Sequence, residues 1–274
     1  MLDRKPLIAL LLVPLLAMPV PGALLAPVAT HASGTAAAPS PSNAPGAVRA
    51  GVPPPAAATA APPRYQRVPA SPDGIGKAYM GREIAQVMGW QGAAWLEREE
   101  REQEERGSRL LAALQLAPGM VVADIGAGTG WYTRRIAPRV APGGRVYAVD
   151  VQPEMVEMLA ALARRPEFAN VVPVLGGESD VRLPADSLDL SILVDVYHEL
   201  EYPYELLESL VRATRRGGRI VFVEYRAEDA FVPIKTLHKM TEVQVRREAA
   251  AFPLRWERTV RTLPWQHVVV FRRE

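Results

Sequence analysis

The chain of 274 residues contains no cysteine. This absence excludes disulfide bonds, thiolate zinc sites, cysteine nucleophiles and acylation of a lipoprotein cysteine. Aromatic residues make up only 7% of the chain, and the formal net charge is +2, with arginine and glutamate intermixed rather than collected in blocks. A nucleic-acid-binding surface needs clustered positive charge and often aromatic rings for base stacking, so we expect no nucleic-acid partner.

The first 32 residues have the pattern of an export signal. Arg4 and Lys5 precede an apolar run over Leu7–Met18, which predicts a secretory signal peptide. An uncleaved membrane anchor over residues 7–29 is the alternative, although its four prolines make a poor membrane helix. No basic residue follows the run until Arg49, so we expect an exported body that is periplasmic, secreted or membrane-anchored. A mis-assigned start codon would instead leave a cytoplasmic protein.

Two further regions follow this segment. Residues 33–63 are dominated by alanine, proline, glycine and serine without apolar periodicity, which predicts a disordered linker. Residues 64–274 are long enough to form one domain with its own core. Residues 64–117 are predicted to open this domain as a helical segment, with helices over Tyr79–Met88 and Ala93–Glu105. We expect the charged residues of the second helix to lie on a solvated face.

From residue 120 onward, short apolar strands alternate with helices. This alternation predicts a Rossmann-like, doubly wound α/β fold, with a seven-stranded, mostly parallel sheet covered by helices on both faces. The last two strands are predicted to close the sheet as an antiparallel pair, preceded by a helix over Ile234–Ala250. The predicted strands are Met120–Ile125, Arg145–Asp150, Val171–Leu175, Leu188–Val196, Arg219–Tyr225, Arg255–Arg261 and Trp265–Arg273. Ligands of such sheets bind beyond the C-terminal ends of the parallel strands.

A glycine-rich loop, Asp124–Gly130, joins the first of these strands to the following helix. Its three glycines allow a tight turn and a close approach of the backbone to a ligand at a helix N-terminus. The spacing is Gly-x-Gly-x-Gly rather than the Gly-x-Gly-x-x-Gly of dinucleotide sites. Asp124 would repel a pyrophosphate and suits a ligand with a cationic amino group. Asp150 ends the second strand, where a carboxylate can accept hydrogen bonds from ribose hydroxyls.

These motifs resemble the class I S-adenosylmethionine (SAM)-dependent methyltransferases over most of residues 120–225, and more particularly a group of bacterial methyltransferases with signal-like N-termini. The resemblance implies SAM as the cofactor, with Asp124 near its amino group and Asp150 on its ribose. An acid after the third strand commonly meets the adenine, and either Glu178 or Asp180 fits this place. The implied cofactor-binding residues are Asp124, Gly126, Ala127, Gly128, Gly130, Asp150, Val151, Glu178, Asp180 and Asp195.

The segment after the fourth strand is expected beside the transferred methyl group and supplies three candidate catalytic residues, Asp195, Tyr197 and His198. His198 has a reference pKa near neutrality and could deprotonate a hydroxyl or amine, or it could merely bond to the backbone. Asp195 could orient the acceptor or the sulfonium. Tyr197 could shield the sulfonium cation with its ring face.

Other polar residues carry weaker expectations. Glu224 and Tyr225 end the fifth strand and either line an acceptor pocket or cap the sheet. His238 and His267 are expected to be structural. A metal site built from His198, Glu224 and His238 has suitable ligand types, but their spacing does not support it, so we predict no metal.

The sequence leaves the methyl acceptor open. A methyltransferase acting on a small molecule is favoured, because similar Tyr-His pairs occur at this place in relatives that modify small molecules. A non-catalytic protein that binds SAM or S-adenosylhomocysteine is one alternative. A methyltransferase acting on an exported protein or envelope component, with a membrane tether through the N-terminus, is another. Export would separate the protein from cytoplasmic SAM.

Overall fold

The computed structural model describes residues 63–274. The predicted export segment, residues 1–32, and the predicted linker up to residue 62 lie outside the described residues, so both stay predictions. Among the residues that the structure describes, no helix combines the length and the apolar character needed to cross a membrane.

The elements of the domain are numbered here in chain order. The strands are β1 (Tyr65–Arg67), β2 (Gly74–Tyr79), β3 (Arg82–Ala85), β4 (Val121–Ile125), β5 (Arg145–Asp150), β6 (Val171–Leu175), β7 (Leu188–Val194), β8 (Thr214–Tyr225), β9 (Leu254–Val260) and β10 (Gln266–Arg273). The α-helices are α1 (Ala93–Leu96), α2 (Arg101–Glu105), α3 (Gly107–Ala113), α4 (Thr133–Val140), α5 (Pro153–Ala163), α6 (Pro203–Ala213) and α7 (Glu242–Ala249).

Seven of these strands form one sheet in the order β6-β5-β4-β7-β8-β10-β9. The strands from β6 to β8 are parallel, and β10 pairs antiparallel with both β8 and β9. The predicted fold class and the closing antiparallel pair are therefore confirmed. The order reverses direction at β4 and β7, and in an open parallel sheet a ligand crevice forms where two neighbouring connections leave in opposite directions.

Side chains of the central strands alternate between two separate apolar cores. On β8, Val221 and Val223 belong to the core that contains residues of α3, α4 and α5. Ile220 and Phe222 belong to the core that contains residues of α6 and α7. Because successive strand residues point to opposite faces, a strand buried on both sides must be apolar throughout. This is the physical reason that the apolar runs of the sequence predicted the sheet correctly.

The helix predicted over Tyr79–Met88 is wrong, and residues 64–117 are not helical throughout. Strands β1, β2 and β3 form a separate antiparallel sheet. Tyr79 pairs with Arg82 across a two-residue turn, in which Met80 and Gly81 both have positive φ, 45° and 88°. Two consecutive positive φ angles are typical of the hairpin turn whose twist matches that of its strands. The Met-Gly sequence lacks the Asn-Gly signature that usually identifies such a turn.

The helix predicted over Ile234–Ala250 is shorter than expected, because α7 begins only at Glu242. The Thr241 side chain accepts a hydrogen bond from the Gln244 backbone N–H at 3.1 Å and so caps the helix. Upstream of the cap the chain forms turns and a short 3-10 helix, Thr236–His238, and the Met240 N–H donates to the Tyr225 carbonyl at 3.0 Å. Residues 226–241 therefore lie beside the C-terminal end of β8, next to the ligand crevice.

Candidate functional site

A cavity of about 570 Å³ lies beyond the C-terminal ends of β4, β5 and β7. Its volume is within the range of about 300–1,000 Å³ that is typical of small-molecule sites. Arg101, Lys235, His198 and His238 are the basic residues of the lining, whereas the acidic lining residues are Glu105, Asp124, Asp150, Glu178, Asp195, Glu199 and Glu201. This excess of carboxylates favours a cationic ligand and disfavours a pyrophosphate.

The glycine-rich loop forms one wall of the cavity. Gly126, Gly128 and Gly130 have φ angles of 68°, 55° and 83°, in the left-handed region that side chains disfavour. A Cβ on Gly126 would lie 2.5 Å from Cγ2 of Val196. The loop therefore needs glycine for its backbone conformation and for its close packing against the segment that follows β7. Of the predicted cofactor-binding residues of this loop, Gly126, Ala127 and Gly128 line the cavity, whereas Gly130 does not.

Asp150 connects the end of β5 to the glycine-rich loop. Its Oδ2 accepts the backbone N–H of Gly128 at 2.9 Å, and its Oδ1 accepts that of Gln152 at 3.0 Å. Burial raises the pKa of this carboxyl, while the backbone N–H groups oppose that shift. The side chain is thus held rigidly at the cavity wall beside Val151, which also lines the cavity.

Asp124, at the end of β4, is buried in the same wall. Its Oδ2 accepts a hydrogen bond from the Thr133 hydroxyl at 2.6 Å. Burial raises the pKa of Asp124 to about 6, against the lowering effect of Thr133 and the positive charge of Arg101. A bound cation would offset part of this desolvation cost, because an opposite charge nearby stabilises the carboxylate.

The two acids left open after the third predicted strand occupy different places. Glu178 lines the cavity. Asp180 does not: its Oδ2 accepts from Arg212 at 3.1 Å, and its Oδ1 accepts the Arg182 backbone N–H at 2.7 Å. Of the two alternatives, Glu178 is the carboxylate available to a ligand.

Asp195 follows β7 and has a left-handed backbone, with φ of 54°. Its N–H donates to the Val223 carbonyl at 2.8 Å, and its Oδ2 accepts from Nε2 of Gln266 at 3.2 Å. Its Oδ1 is buried and has no hydrogen-bond partner among the described residues. Burial raises the pKa of Asp195 well above its usual value, and the nearby charge of Glu105 adds to the effect. A strained backbone with an unpartnered oxygen at a cavity is typical of a ligand-binding position.

His198 is buried between two carboxylates. Its Nδ1 lies 2.6 Å from Oε2 of the fully buried Glu224, and its Nε2 lies 3.7 Å from Oε1 of Glu199. Burial alone would lower the pKa of His198, but Glu224 and Glu199 raise it to about 10. Burial alone would raise the pKa of Glu199, but its hydrogen bonds with His198 and His238 lower it to about 2. A protonated imidazole is a donor rather than a base, so this pairing disfavours the predicted role of His198 as a proton acceptor.

The predicted role of Tyr197 is corrected by its position. Its ring is fully buried in the core on the face of α6 and α7, with its centroid 4.8 Å from that of Phe222. Tyr197 does not line the cavity. Both residues lie in the short 3-10 helix Tyr197–Glu199, in which His198 lines the cavity and Tyr197 packs into the core, so the Tyr197 ring is not placed to shield a sulfonium.

The four remaining candidates divide between the cavity and the core. Tyr225 lines the cavity and donates its hydroxyl hydrogen bond to Oε1 of Glu105 at 3.1 Å. Glu224 is fully buried outside the cavity, and its Oε2 contacts Nδ1 of the cavity residue His198 at 2.6 Å. His238, expected to be structural, also lines the cavity, whereas His267 is buried outside it.

Several cavity residues were not identified from the sequence. The charged run was expected to form a solvated helix face, yet Arg101 and Glu105 are 5% and 2% exposed and line the cavity. Arg101 Nε donates to Glu105 Oε2 at 3.0 Å, and its guanidinium lies over the Trp131 ring. Gln152 was also missed. The spacing of Arg101 and Glu105, four residues apart, was visible, but only tertiary packing shows which side of the helix is buried.

Comparison with known proteins gives consistent matches. Residues 123–222 match a family model described as a methyltransferase domain. The protein-L-isoaspartate O-methyltransferase of Aeropyrum pernix is 33% identical over 120 residues, which cover 41% of this chain and 42% of that protein. The malonyl-[acyl-carrier protein] O-methyltransferase of Serratia marcescens is 36% identical over 123 residues, with 44% of each chain covered. The chain thus matches less than half the length of these curated relatives.

A solved structure matches over more of the chain. The SAM-dependent methyltransferase of Aquifex aeolicus superposes with a TM-score of 0.63 at 24% identity, covering 68% of this chain and 98% of that one. At this identity the match establishes the fold. The two curated relatives carry names with different methyl acceptors, so similarity alone does not identify an acceptor.

Proposed function

We propose that the described domain is a class I SAM-dependent methyltransferase, that its cavity binds SAM and that the protein methylates a small-molecule acceptor. The match of residues 123–222 to a methyltransferase-domain family model and the shared fold support this proposal. The single observation that carries the proposal is the joint placement of Asp124, Asp150 and the glycine-rich loop. The two carboxylates lie at the ends of neighbouring parallel strands, and the loop between β4 and α4 follows the strand of Asp124 and donates the Gly128 N–H to Asp150.

Each part of the cavity suits one part of SAM. We assign the buried Asp124 to the cationic amino group, Asp150 to the ribose hydroxyls and Glu178 to the adenine amino group. Gly126 and Gly128 contribute backbone to the cavity wall, and Val196 and Leu96 pack closely against them. The excess of carboxylates also favours the positive sulfonium.

The polar end of the cavity, formed by Arg101, Glu105, Asp195, His198 and Tyr225, is assigned to the acceptor. Bound SAM supplies an electrophilic methyl group, and the protein has to place the acceptor in line with it and exclude water. The unpartnered Oδ1 of Asp195 provides a hydrogen-bond acceptor for a hydroxyl or amine.

A small molecule fits this site better than a protein segment does. Residues of the N-terminal segment, from Val87 to Leu96, and of the segment beside β8, from Pro233 to His238, form part of the cavity wall. These walls restrict the space for a polypeptide. The same enclosure excludes water from the reacting atoms, which protects the sulfonium during transfer.

Titration calorimetry of the full chain with SAM and with S-adenosylhomocysteine tests the proposal. Asp150→Asn removes the charged acceptor for the ribose and should weaken both ligands by about 1.5–3 kcal/mol, which is roughly 10- to 100-fold. Asp180→Asn is the matched control, because Asp180 lies nearby on the surface, paired with Arg212, and should leave both affinities unchanged. Circular dichroism checks that both variants fold.

Turnover is tested separately with methyl-labelled SAM and cell extract. A labelled small molecule in the product, formed by the wild type and lost in Asp150→Asn, supports catalysis. Tight binding of both ligands without any labelled product would favour the non-catalytic alternative. Absence of affinity for SAM and for S-adenosylhomocysteine would contradict the proposed function altogether.

A further inference from the structure

Two histidines and one carboxylate meet at the edge of the polar end. Oε1 of Glu199 lies 3.1 Å from Nδ1 of His238 and 3.7 Å from Nε2 of His198. One ligand-type atom from each residue lies within 4.8 Å of the other two, and all three residues line the cavity. Nitrogen and oxygen ligands bind first-row metal ions at about 2.0–2.2 Å, so neighbouring ligand atoms on one ion lie roughly 3.0–3.5 Å apart. The two distances from Glu199 lie close to this range, and the ligand atoms of the two histidines, which lie within 4.8 Å of one another, would move together on binding an ion.

The fold supports this cluster from behind. Glu224, fully buried at the end of β8, fixes Nδ1 of His198 at 2.6 Å and also accepts the Tyr197 backbone N–H at 2.9 Å. This leaves Nε2 of His198 directed toward Glu199. A carboxylate that holds the far nitrogen of a histidine is the usual support of a metal-binding imidazole, because it fixes both the tautomer and the ring orientation. On Glu199, the Met88 backbone N–H occupies Oε2 and leaves Oε1 toward the two histidines.

The two carboxylates at the cluster, Glu199 and Glu224, have no ion-pair partner with a permanent positive charge among the described residues. Within residues 63–274, neither Glu199 nor Glu224 has a lysine or arginine within ion-pair distance, and their ion-pair partners are the two histidines. Two buried carboxylates at one place are costly unless cations compensate them. A divalent cation that displaces the proton of His198 and binds neutral imidazoles balances both carboxylate charges.

We propose that His198, Glu199 and His238 bind one divalent first-row transition-metal ion, with its remaining coordination positions open to the cavity. Two histidines and one carboxylate with open positions are a known ligand set for such ions. The expectation of no metal came from the sequence spacing, which could not show that the third ligand is Glu199 rather than Glu224. His238 lies in the short 3-10 helix Thr236–His238. The ion would therefore also link residues 226–241, beside the end of β8, to the cavity residues His198 and Glu199.

The chemical role of the ion, which rests on the proposed function, is to activate an oxygen acceptor. A hydroxyl bound to the ion loses its proton to solvent more readily, because the positive charge stabilises the alkoxide or phenolate. The oxygen lone pair then forms a bond to the methyl carbon, and the carbon–sulfur bond breaks with its electron pair remaining on sulfur. The products are the methyl ether, S-adenosylhomocysteine and one proton, with no change of redox state.

The test uses the full chain, produced without a polyhistidine tag and freed of metal by dialysis against a chelator. Calorimetry with Zn²⁺ and visible absorption with Co²⁺ are expected to show one ion per chain, with a cobalt spectrum typical of histidine ligands. His238→Ala and Glu199→Gln should each weaken metal binding more than about 100-fold, and Glu224→Gln about 10- to 100-fold. Glu201→Gln is the matched control, since this glutamate lines the same cavity but pairs with Lys77.

SAM affinity of each variant shows whether it has folded and separates the two proposals. Wild-type protein that binds SAM but no metal would overturn the metal site and leave the proposed function intact. Metal binding that survives both His238→Ala and Glu199→Gln would also overturn it. One bound ion that these variants abolish, in a protein without affinity for SAM, would support the metal site while contradicting the methyltransferase proposal.

Discussion

Asp124 and Asp150 are both carboxylates at strand ends, but their surroundings give them different roles. Asp150 is held by two backbone N–H groups and keeps the glycine-rich loop in place. Asp124 has one hydroxyl partner, and burial raises its pKa into the range of ordinary buffers. Of the two, Asp124 is therefore the residue whose charge should respond most visibly to a cationic ligand.

SAM affinity should fall as the pH is lowered through the pKa of Asp124, about 6. A carboxyl with a raised pKa is neutral below that value, and only the ionised form attracts the amino group of SAM. If binding requires the ionised form, the affinity at pH 5 should be about tenfold weaker than at pH 7. Calorimetry over this range measures the effect. Asp124→Asn should bind weakly with a flat profile, and an unchanged slope in that variant would contradict the assignment.

Gly126→Ala should destabilise the domain through both backbone and packing. The left-handed φ of 68° and the 2.5 Å approach to Val196 add a conformational cost of about 1–2 kcal/mol to a steric cost of about 1–3 kcal/mol. The free energy of unfolding from urea titration measures the loss. Gly119→Ala is the control, because Gly119 also has a positive φ, 88°, but its Cβ would meet no atom within 4 Å. Equal losses in the two variants would show that packing at the loop has no effect.

At the scale of elements, one side chain beside the end of β5 forms two hydrogen bonds with the N-terminal segment. Gln152, which immediately precedes α5, accepts the Trp90 N–H on its Oε1 at 2.7 Å and donates from Nε2 to the Met88 carbonyl at 3.1 Å. Its own N–H binds Asp150. The wall residues Val87 and Met88 are thereby positioned relative to Asp150.

Gln152→Ala should loosen this wall without unfolding the sheet. The loss of two side-chain hydrogen bonds predicts SAM binding that is weaker by about 1–2 kcal/mol, mainly through faster dissociation, with little change in the thermal midpoint. Stopped-flow fluorescence of the nearby tryptophans measures the dissociation rate. Gln91→Ala is the control, since Gln91 lies in the same segment but is exposed. Equal dissociation rates in the two variants would contradict the role of Gln152.

At the scale of the whole molecule, the N-terminal export prediction stays outside the described residues. Arg4, Lys5 and the apolar run Leu7–Met18 are its basis. Residues 1–62 fused to alkaline phosphatase should give active enzyme beyond the cytoplasmic membrane, because that reporter folds only in an oxidising compartment. Replacing Leu10, Leu11 and Leu12 by arginine should abolish the activity, since it interrupts the apolar run. If residues 1–62 gave activity only when fused to a reporter that works in the cytoplasm, and none when fused to alkaline phosphatase, the export prediction would be contradicted.

The sequence determined the large sheet and the principal wall of the site. A strand buried on both faces must be apolar at every position, and a loop that turns at positive φ needs glycine, so both features are encoded locally. The placement of Asp124 and Asp150 followed directly, because parallel strands end at a common edge. The match of residues 123–222 to a methyltransferase-domain family model spans these same motifs.

Only the tertiary structure decided which polar side chains face the cavity. Tyr197 and His198 are neighbours in sequence, yet one ring lies in the core and the other in the site. Arg101 and Glu105 belong to a run that has the pattern of a solvated helix, yet both are buried. Glu199 and His238 meet although they are 39 residues apart. The orientation of side chains at strand ends and in short turns depends on contacts with distant segments, and no local pattern of charge or hydrophobicity records those contacts.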